Sequence, residues 1–250
     1  MIESYALTDI GCTRKENQDR VLADHNLGLF AVADGMGGHQ HGEIAAELAI
    51  SSLRYFVEAS RDRFDATWPF GYDFDLSVDG NRLSTAVQLA NQQVWQHARQ
   101  SPECDGMGTT VAAVLLSDGR AVIGNVGDSR IYHFRYQELQ QLSYDDTLVN
   151  SMSLGGADPA DLANHPMRNV LTQAAGSKDE LNVHIVERDL ASGDVYLICS
   201  DGLHGVIGNA AIRSILASSD NLEHVAMRLI QSARGNGGPD NVSVVLLSYC

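Results

Sequence analysis

The chain has 250 residues, 44% of them hydrophobic, enough to bury about three quarters of its unfolded surface around one continuous core. Its formal charge of −15, from 32 acidic against 17 basic side chains, excludes general nucleic-acid binding, because a polyanion would be repelled. No apolar run reaches the roughly 18 to 20 residues that span a bilayer, which excludes a membrane helix and leaves a soluble, cytoplasmic protein as the expectation.

The first residues, Met1-Ile2-Glu3-Ser4-Tyr5, carry an acid where a signal peptide would be basic. A strand is expected to start near Val21. Leu27 to Ala33 is short and apolar, predicting a buried strand that ends in a sharp turn at Asp34-Gly35. Glu43 to Glu58 places Ile44, Leu48, Leu53 and Val57 on one helical face, and Leu83 to Ala98 does the same with Leu83, Val87, Ala90 and Val94. Arg61 to Asp79 has no clean period and is expected to be the loop between these helices. Val111 to Leu116 and Ala121 to Val126 flank Ser117-Asp118-Gly119-Arg120, the pattern of a hairpin. The stretch from Ser143 to Gly176 is irregular, and loops of that length are commonly functional. Val195 to Cys199 and Val242 to Leu247 read as two more core strands, with an amphipathic helix from about Leu222 to Ala233 between them. Strands in runs, with helices between the runs, predict antiparallel sheets covered by helices. Cys12, Cys104, Cys199 and Cys250 are too scattered for a metal knuckle or a disulfide framework, as in a reducing compartment.

Asp-Gly pairs occur at Asp34, Asp79, Asp105, Asp118 and Asp201. At Asp79, Asp105 and Asp118 a turn is a sufficient explanation. Asp34 and Asp201 differ because each directly follows a buried strand, while Asp240 lies just before one. If the strand at Val242 runs antiparallel to the other two, the three carboxylates reach one edge of the same sheet. Such a cluster repels itself unless cations neutralise it, and an all-oxygen set suits Mg²⁺ or Mn²⁺ rather than zinc. Gly35, lacking a Cβ, would let the chain pass closely round a cation and offer its carbonyl as a further ligand. Two cations sharing a carboxylate and a water make a hydrolytic centre for phosphate esters. Arg14 has the fork geometry for phosphate, although in isolation it reads as a surface residue.

Taken in order, six segments resemble the PPM family of metal-dependent, type-2C protein phosphatases, in particular its compact bacterial members. They are Thr8-Asp9-Ile10-Gly11 with Arg14 to Asp19, Val32 to His39, Gly108-Thr109-Thr110, Val126-Gly127-Asp128-Ser129-Arg130, Cys199 to Leu203, and Gly238-Pro239-Asp240-Asn241-Val242. The resemblance implies an α+β fold, a four-layer α-β-β-α sandwich of two antiparallel β-sheets flanked by helices on both outer faces. It implies one catalytic domain over residues 1–250, with a flap at about 143–176. Asp34 would bridge two cations, Mn²⁺ or Mg²⁺, Gly35 would give its carbonyl, and Asp201 and Asp240 would bind one of the pair. Asp19 would act through metal-bound water. Asp128 with Asp201 matches the positions that hold a third, weaker cation in bacterial members.

The same resemblance implies hydrolysis of phosphoserine and phosphothreonine in proteins by direct attack of a metal-bridging hydroxide, with Arg14 holding the phosphate. The partners implied are phosphorylated substrates of a serine/threonine kinase, met by a monomer. Two departures stand out. Met36 occupies the place where animal relatives carry a proton-donating His, leaving His39 as the nearest candidate for substrate positioning and protonation; His41 and the other histidines are expected to be exposed or structural. Gln18 replaces a Glu found in many members. In the flap, Asp145-Asp146-Thr147 stands for the more usual Asp-His-Ser, and Asp145 and Asp146 are expected to cap the following helix. The alternatives are a catalytically silent binding module on the same fold, disfavoured by the presence of all four of Asp34, Asp201, Asp240 and Arg14, and a hydrolase of small phosphate esters.

Overall fold

The structure, a computed structural model, describes residues 1–37, 41–61, 67–100, 102–157, 162, 165–218 and 221–250. Eleven strands are assigned: β1 Ile2–Asp9, β2 Asp19–Asp24, β3 Leu29–Met36, β4 Gly108–Thr109, β5 Val111–Ser117, β6 Arg120–Val126, β7 Arg130–Arg135, β8 Glu138–Gln141, β9 His184–Asp189, β10 Asp194–Cys199 and β11 Val242–Tyr249. The helices are α1 His41–Ser60, α2 Val78–Gln100, α3 Leu148–Leu154, α4 Asp201–Leu216 and α5 Leu222–Gly235. One sheet has the order β1-β11-β10-β7-β8, and the other β2-β3-β5-β6-β9 with β4 beside β3. Every pairing is antiparallel.

Strand alternation creates three apolar layers. In β3, Leu29, Ala31 and Ala33 pack with Leu53 and Val87 of α1 and α2, whereas Phe30 and Val32 meet Ile131, Ile198 and Val245 of the facing sheet. In β11, Val242, Val244 and Leu246 pack under Ile212 and Leu229 of α4 and α5, and Val245 and Leu247 turn inward. Side chains that alternate between faces with period 2 thus yield helix, sheet, sheet, helix, the expected four-layer α-β-β-α sandwich.

The amphipathic periods locate α1, α2 and α5 to within a few residues. The hairpin at Asp118-Gly119 is present, with Ser117 paired to Arg120 and positive φ of 46° and 74° at the two turn residues. Two expectations change. β3 does not end in a turn at Asp34-Gly35, since it continues to Met36 and pairs there with β4. The carboxylates also do not lie on one sheet edge: β10 and β11 share a sheet, but Asp34 belongs to the other. It is the face-to-face stacking of two sheets that brings them together.

Candidate metal centre and active site

Following the inward-facing row of each strand to one end of the sandwich explains the site. The apolar residues Val21, Phe30 and Val32 give way to Asp19 and Asp34, Ile198 gives way to Ser200, and Val245 to Ser243. The row stays on the same face and changes from apolar to polar at the rim. Asp19 and Asp34 are register partners. Ser200 donates its hydroxyl to Asp19 Oδ2 at 2.9 Å and accepts the Ser243 backbone N–H at 3.0 Å. Ser200 is also the N-cap residue of α4, but its hydroxyl makes no capping bond, its oxygen accepting the Ser243 N–H instead.

Asp201 opens α4, where the helix N-terminus favours a negative charge. Asp240 precedes β11, receives the Asn241 N–H at 2.9 Å on Oδ1, and meets Arg14 at 2.6 Å through Oδ2. Asn241 fixes the segment that carries Arg14: its Oδ1 accepts the Gln18 N–H at 2.9 Å, and its Nδ2 donates to Ile10 O at 3.0 Å and Glu16 O at 2.9 Å. Asp34 is held by its backbone. Its N–H donates to Thr110 Oγ1 at 3.0 Å, and its carbonyl accepts from Thr110 N and Thr109 Oγ1, both at 2.9 Å.

Arg14, Asp34, Asp128, Asp201 and Asp240 all line one cavity of about 460 Å³, roofed in part by Asn169 and Leu171. A second cleft of about 870 Å³ continues from it, past Arg14 and Asp201, between α3 and α4. Electrostatics mark the small cavity as strained. Burial, and then the neighbouring aspartates, hold Asp34 well above the usual carboxylate range. Burial against two hydroxyl donors leaves Asp19 at about 6, and burial beside Asp201 and Asp145 raises Asp128 to about 7. Asp201 is raised by burial and by Asp240.

These residues fit hard divalent cations. Asp19 Oδ1 is buried and accepts no hydrogen bond, an orphaned oxygen of the sort that an ion or its water would satisfy. The donor set is carboxylate and carbonyl oxygen, and the repulsion that raises the carboxyl groups is what a cation relieves. Among the described residues no three acidic, histidine or cysteine side chains are drawn together as a closed chelate; Asp240 is turned to Arg14 and Asp201 hydrogen bonds to Asp34. At Gly35 the close neighbours are protein backbone. A Cβ there would lie 2.0 Å from Gly42 O and 2.7 Å from Gln18 O, so the missing side chain lets α1 start directly against β3.

Of the remaining predicted residues, His39 lies outside the described residues. Asp145 and Asp146 do not cap α3. Thr147 does, accepting the Asn150 N–H. Asp145 forms a bidentate pair with Arg130 instead, at 2.7 to 3.1 Å, and Asp146 accepts the Gly127 N–H at 2.9 Å together with Gln173 and His184. Capping needs a residue adjacent to the first turn, and Thr147 is the nearer one. His204 escaped the sequence reading: it sits in α4, donates Nε2–H to Asp128 O at 3.0 Å, and burial beside Arg130 lowers its pKa to about 3. Nothing local in the sequence distinguishes it from a surface histidine.

The family model described as "Protein phosphatase 2C" matches residues 13–241. The serine/threonine protein phosphatase PstP of Mycobacterium tuberculosis is 36% identical over 242 residues, covering 96% of this chain and 44% of PstP, so the chain spans less than half of that relative's length. The protein phosphatase PhpP of Streptococcus pneumoniae is 34% identical over 254 residues, covering 99% of this chain and 97% of PhpP. The crystal structure of M. tuberculosis PstP superposes with a TM-score of 0.85 at 35% identity over 99% of this chain and 98% of that one. Another structure, the catalytic domain of PstP in complex with two manganese ions, gives 0.82 at 33% identity, over 99% and 97%. Fold, polar rim and sequence agree along the whole chain, and the chain belongs to the protein phosphatase 2C family.

Proposed function

We propose that the chain is a metal-dependent phosphatase that hydrolyses phosphoserine and phosphothreonine in proteins, within a single catalytic domain over residues 1–250. The observation that carries this reading is the convergence of Asp34, Asp128, Asp201 and Asp240 on one cavity with Arg14 at its wall. Asp34 would bridge two cations with the Gly35 carbonyl beside it, and Asp201 and Asp240 would hold one of the pair. Asp19 would act through a water at its orphaned Oδ1, and Asp128 with Asp201 would take a third ion. The manganese pair in the PstP catalytic domain supports the two-cation part of this assignment. When bound, such cations activate water and neutralise charge on the phosphoryl oxygens.

The protein's own groups do the rest. Arg14 presents its guanidinium beside the carboxylates and would clamp two phosphoryl oxygens, orienting the ester for in-line attack. Thr110, the one hydroxyl among the described residues of the cavity wall, is tied to Asp34 N–H and Ser129 Oγ, so it is no free nucleophile. Direct attack by water, without a phosphoenzyme, is what the family resemblance implies, and the tied Thr110 hydroxyl is consistent with it. The leaving oxygen needs a proton that Met36 cannot supply, and His39 is the proposed source. The 870 Å³ cleft, lined from the proposed flap at 143–176 by Asp145, Thr147, Asn150, Arg168 and Asn169 among others, is large enough for a peptide segment and favours proteins over small esters. Substrates would come from a serine/threonine kinase, and the chain would act as a monomer.

The test is hydrolysis of a phosphothreonine peptide and a small aryl phosphate, with and without Mn²⁺, by the wild type, Asp34→Ala and Asp240→Ala. Metal-dependent turnover of the peptide, lost in both variants, is expected. Equal rates without metal or in the variants would overturn the mechanism, and turnover of the aryl phosphate alone would move the substrate class to small esters.

A further inference from the structure

The inward-facing layer between the two sheets has a second end. The rows that finish in aspartates and serines at the metal centre run the other way into basic and aromatic residues. On β7, Ile131 is followed on the same face by His133 and Arg135, on β10 the row reaches Tyr196, and on β9 it passes Val186 to Arg188, the register partner of Ala121. At about 3.3 Å per residue, Arg135 stands some 17 Å along β7 from Arg130, so this end is remote from the carboxylates. A cavity of about 410 Å³ opens here, lined by the bases Arg120, His133, Arg135 and Arg188, the acids Glu187 and Asp189, and Gln140 and Tyr196.

The donors in this cavity are more numerous than the acceptors that meet them. Asp194, 1% exposed, is shared by His133 Nε2 at 2.6 Å and Arg135 Nε at 2.8 Å, and its Oδ2 accepts the Ala191 N–H. The Arg135 contact is close but poorly aligned, and its buried Nε–H makes no hydrogen bond. Within the lining, Glu187 at 3.2 Å and Asp189 at 3.4 Å are both turned to Arg120, leaving Arg135 and Arg188 as the cations these two acids do not pair. Arg188 forms no ion pair among the described residues, and its charge acts on the Tyr196 hydroxyl. Tyr196 is 2% exposed, its ring packed 5.1 Å from that of His133 and its hydroxyl end lining the cavity. A buried phenol, a misaligned guanidinium and an unpaired arginine thus face one space in a chain of charge −15.

We propose that this cavity is a second anion site, specific for the tetrahedral phosphate dianion, either free or carried on a phosphorylated side chain. The planar Arg188 fork suits two phosphate oxygens, Tyr196 O–H and Arg135 Nε–H suit a third, and buried donors bind a strong acceptor more tightly than water can replace it. The volume leaves room for the stem of a phosphorylated residue besides the phosphate itself.

The readout is binding, so it stands or falls independently of hydrolysis. Arginine Nε–H and histidine ring resonances of the whole chain would be followed by NMR during titration with inorganic phosphate and, separately, with a phosphoserine peptide. Arg135, Arg188 and His133 signals should move, with an affinity that drops about tenfold in Arg188→Gln, as expected for one charge-assisted contact. Tyr196→Phe, which keeps the ring packing, should weaken binding as well, and Arg14→Ala should leave the affinity at these three reporters unchanged. Equal affinity for both probes assigns the site to free phosphate; tenfold tighter binding of the peptide assigns it to a phosphorylated segment. Static resonances in the wild type at ~10 mM of either probe, or the same affinity in Arg188→Gln, would overturn the proposal.

Discussion

Asp19 and Asp34 stand directly opposite each other on β2 and β3, two carboxylates in a cross-strand position that sheets ordinarily avoid. Both are held above the usual carboxylate range, Asp19 to about 6. A carboxyl raised in the folded state stabilises the fold fully below its unfolded pKa and loses that contribution as pH rises through its folded pKa. The metal-free chain should therefore lose stability between about pH 4 and pH 6 from Asp19, with Asp34 adding to the loss as pH rises, and Asp19→Asn should flatten the first part. Mn²⁺ at about 100 times its Kd should add about 2.7 kcal/mol per site, some 5–10 °C in Tm at neutral pH. Thermal denaturation against pH, with EDTA or Mn²⁺, checks both signs.

Gly35→Ala should be far more costly than an ordinary glycine replacement in a strand. The new Cβ would meet two backbone carbonyls, Gly42 O at 2.0 Å and Gln18 O at 2.7 Å, neither of which can rotate away. We expect a loss of about 3 kcal/mol, the upper end for overpacking, together with weaker Mn²⁺ binding as β3 and α1 separate. Urea denaturation and calorimetric titration measure the two effects.

Arg130 and Asp145 tie the start of β7, two residues after Asp128, to the base of the stretch that overhangs the cleft. Removing either partner strands the other, with side chains only 23% and 14% exposed. Asp145→Ala and Arg130→Met should each cost about 2–4 kcal/mol, and a double-mutant cycle should return about 1–3 kcal/mol of coupling. Hydrogen exchange at Leu148 to Asn150 should accelerate in both single variants. Additive effects in the cycle would show that the pair does not anchor this segment.

His204 should be neutral throughout the working range. Its pKa is lowered to about 3 by burial and by Arg130, so its contribution to stability is present above the unfolded value near 6.5 and is lost as pH falls toward 3. Nitrogen chemical shifts should report a single neutral form, protonated on Nε2, from pH 5 to 9. His204→Gln, which retains a donor toward Asp128 O, should remove the acid-side loss and leave the rest of the stability profile in place.

Much of this architecture is legible in local patterns. The 3.6-residue period locates α1, α2 and α5, and short continuous apolar runs locate β3, β5, β6, β10 and β11. α4 is not legible, because Gly205 and Gly208 interrupt it and Gly208 breaks the helix at φ 68°. β1 and β7 to β9 mix polar with apolar residues and were missed for that reason. At the site, Arg14, Asp34, Asp201 and Asp240 were identifiable from their places beside strands and from the family motifs. The roles of Ser200, Ser243 and Asn241 were not, since each acts through partners up to 231 residues distant.

By itself the sequence determined the family, the element types and the residues on which a metal-dependent chemistry would turn, because those depend on residue identity and short spacings. Only the tertiary structure decided that Asp34 comes from a different sheet than Asp201 and Asp240, that Asp145 pairs with Arg130 rather than capping a helix, and that the layer between the sheets ends in carboxylates on one side and arginines on the other. The physical reason is that strand alternation fixes which residues share a face, while only the stacking of two sheets fixes which faces meet.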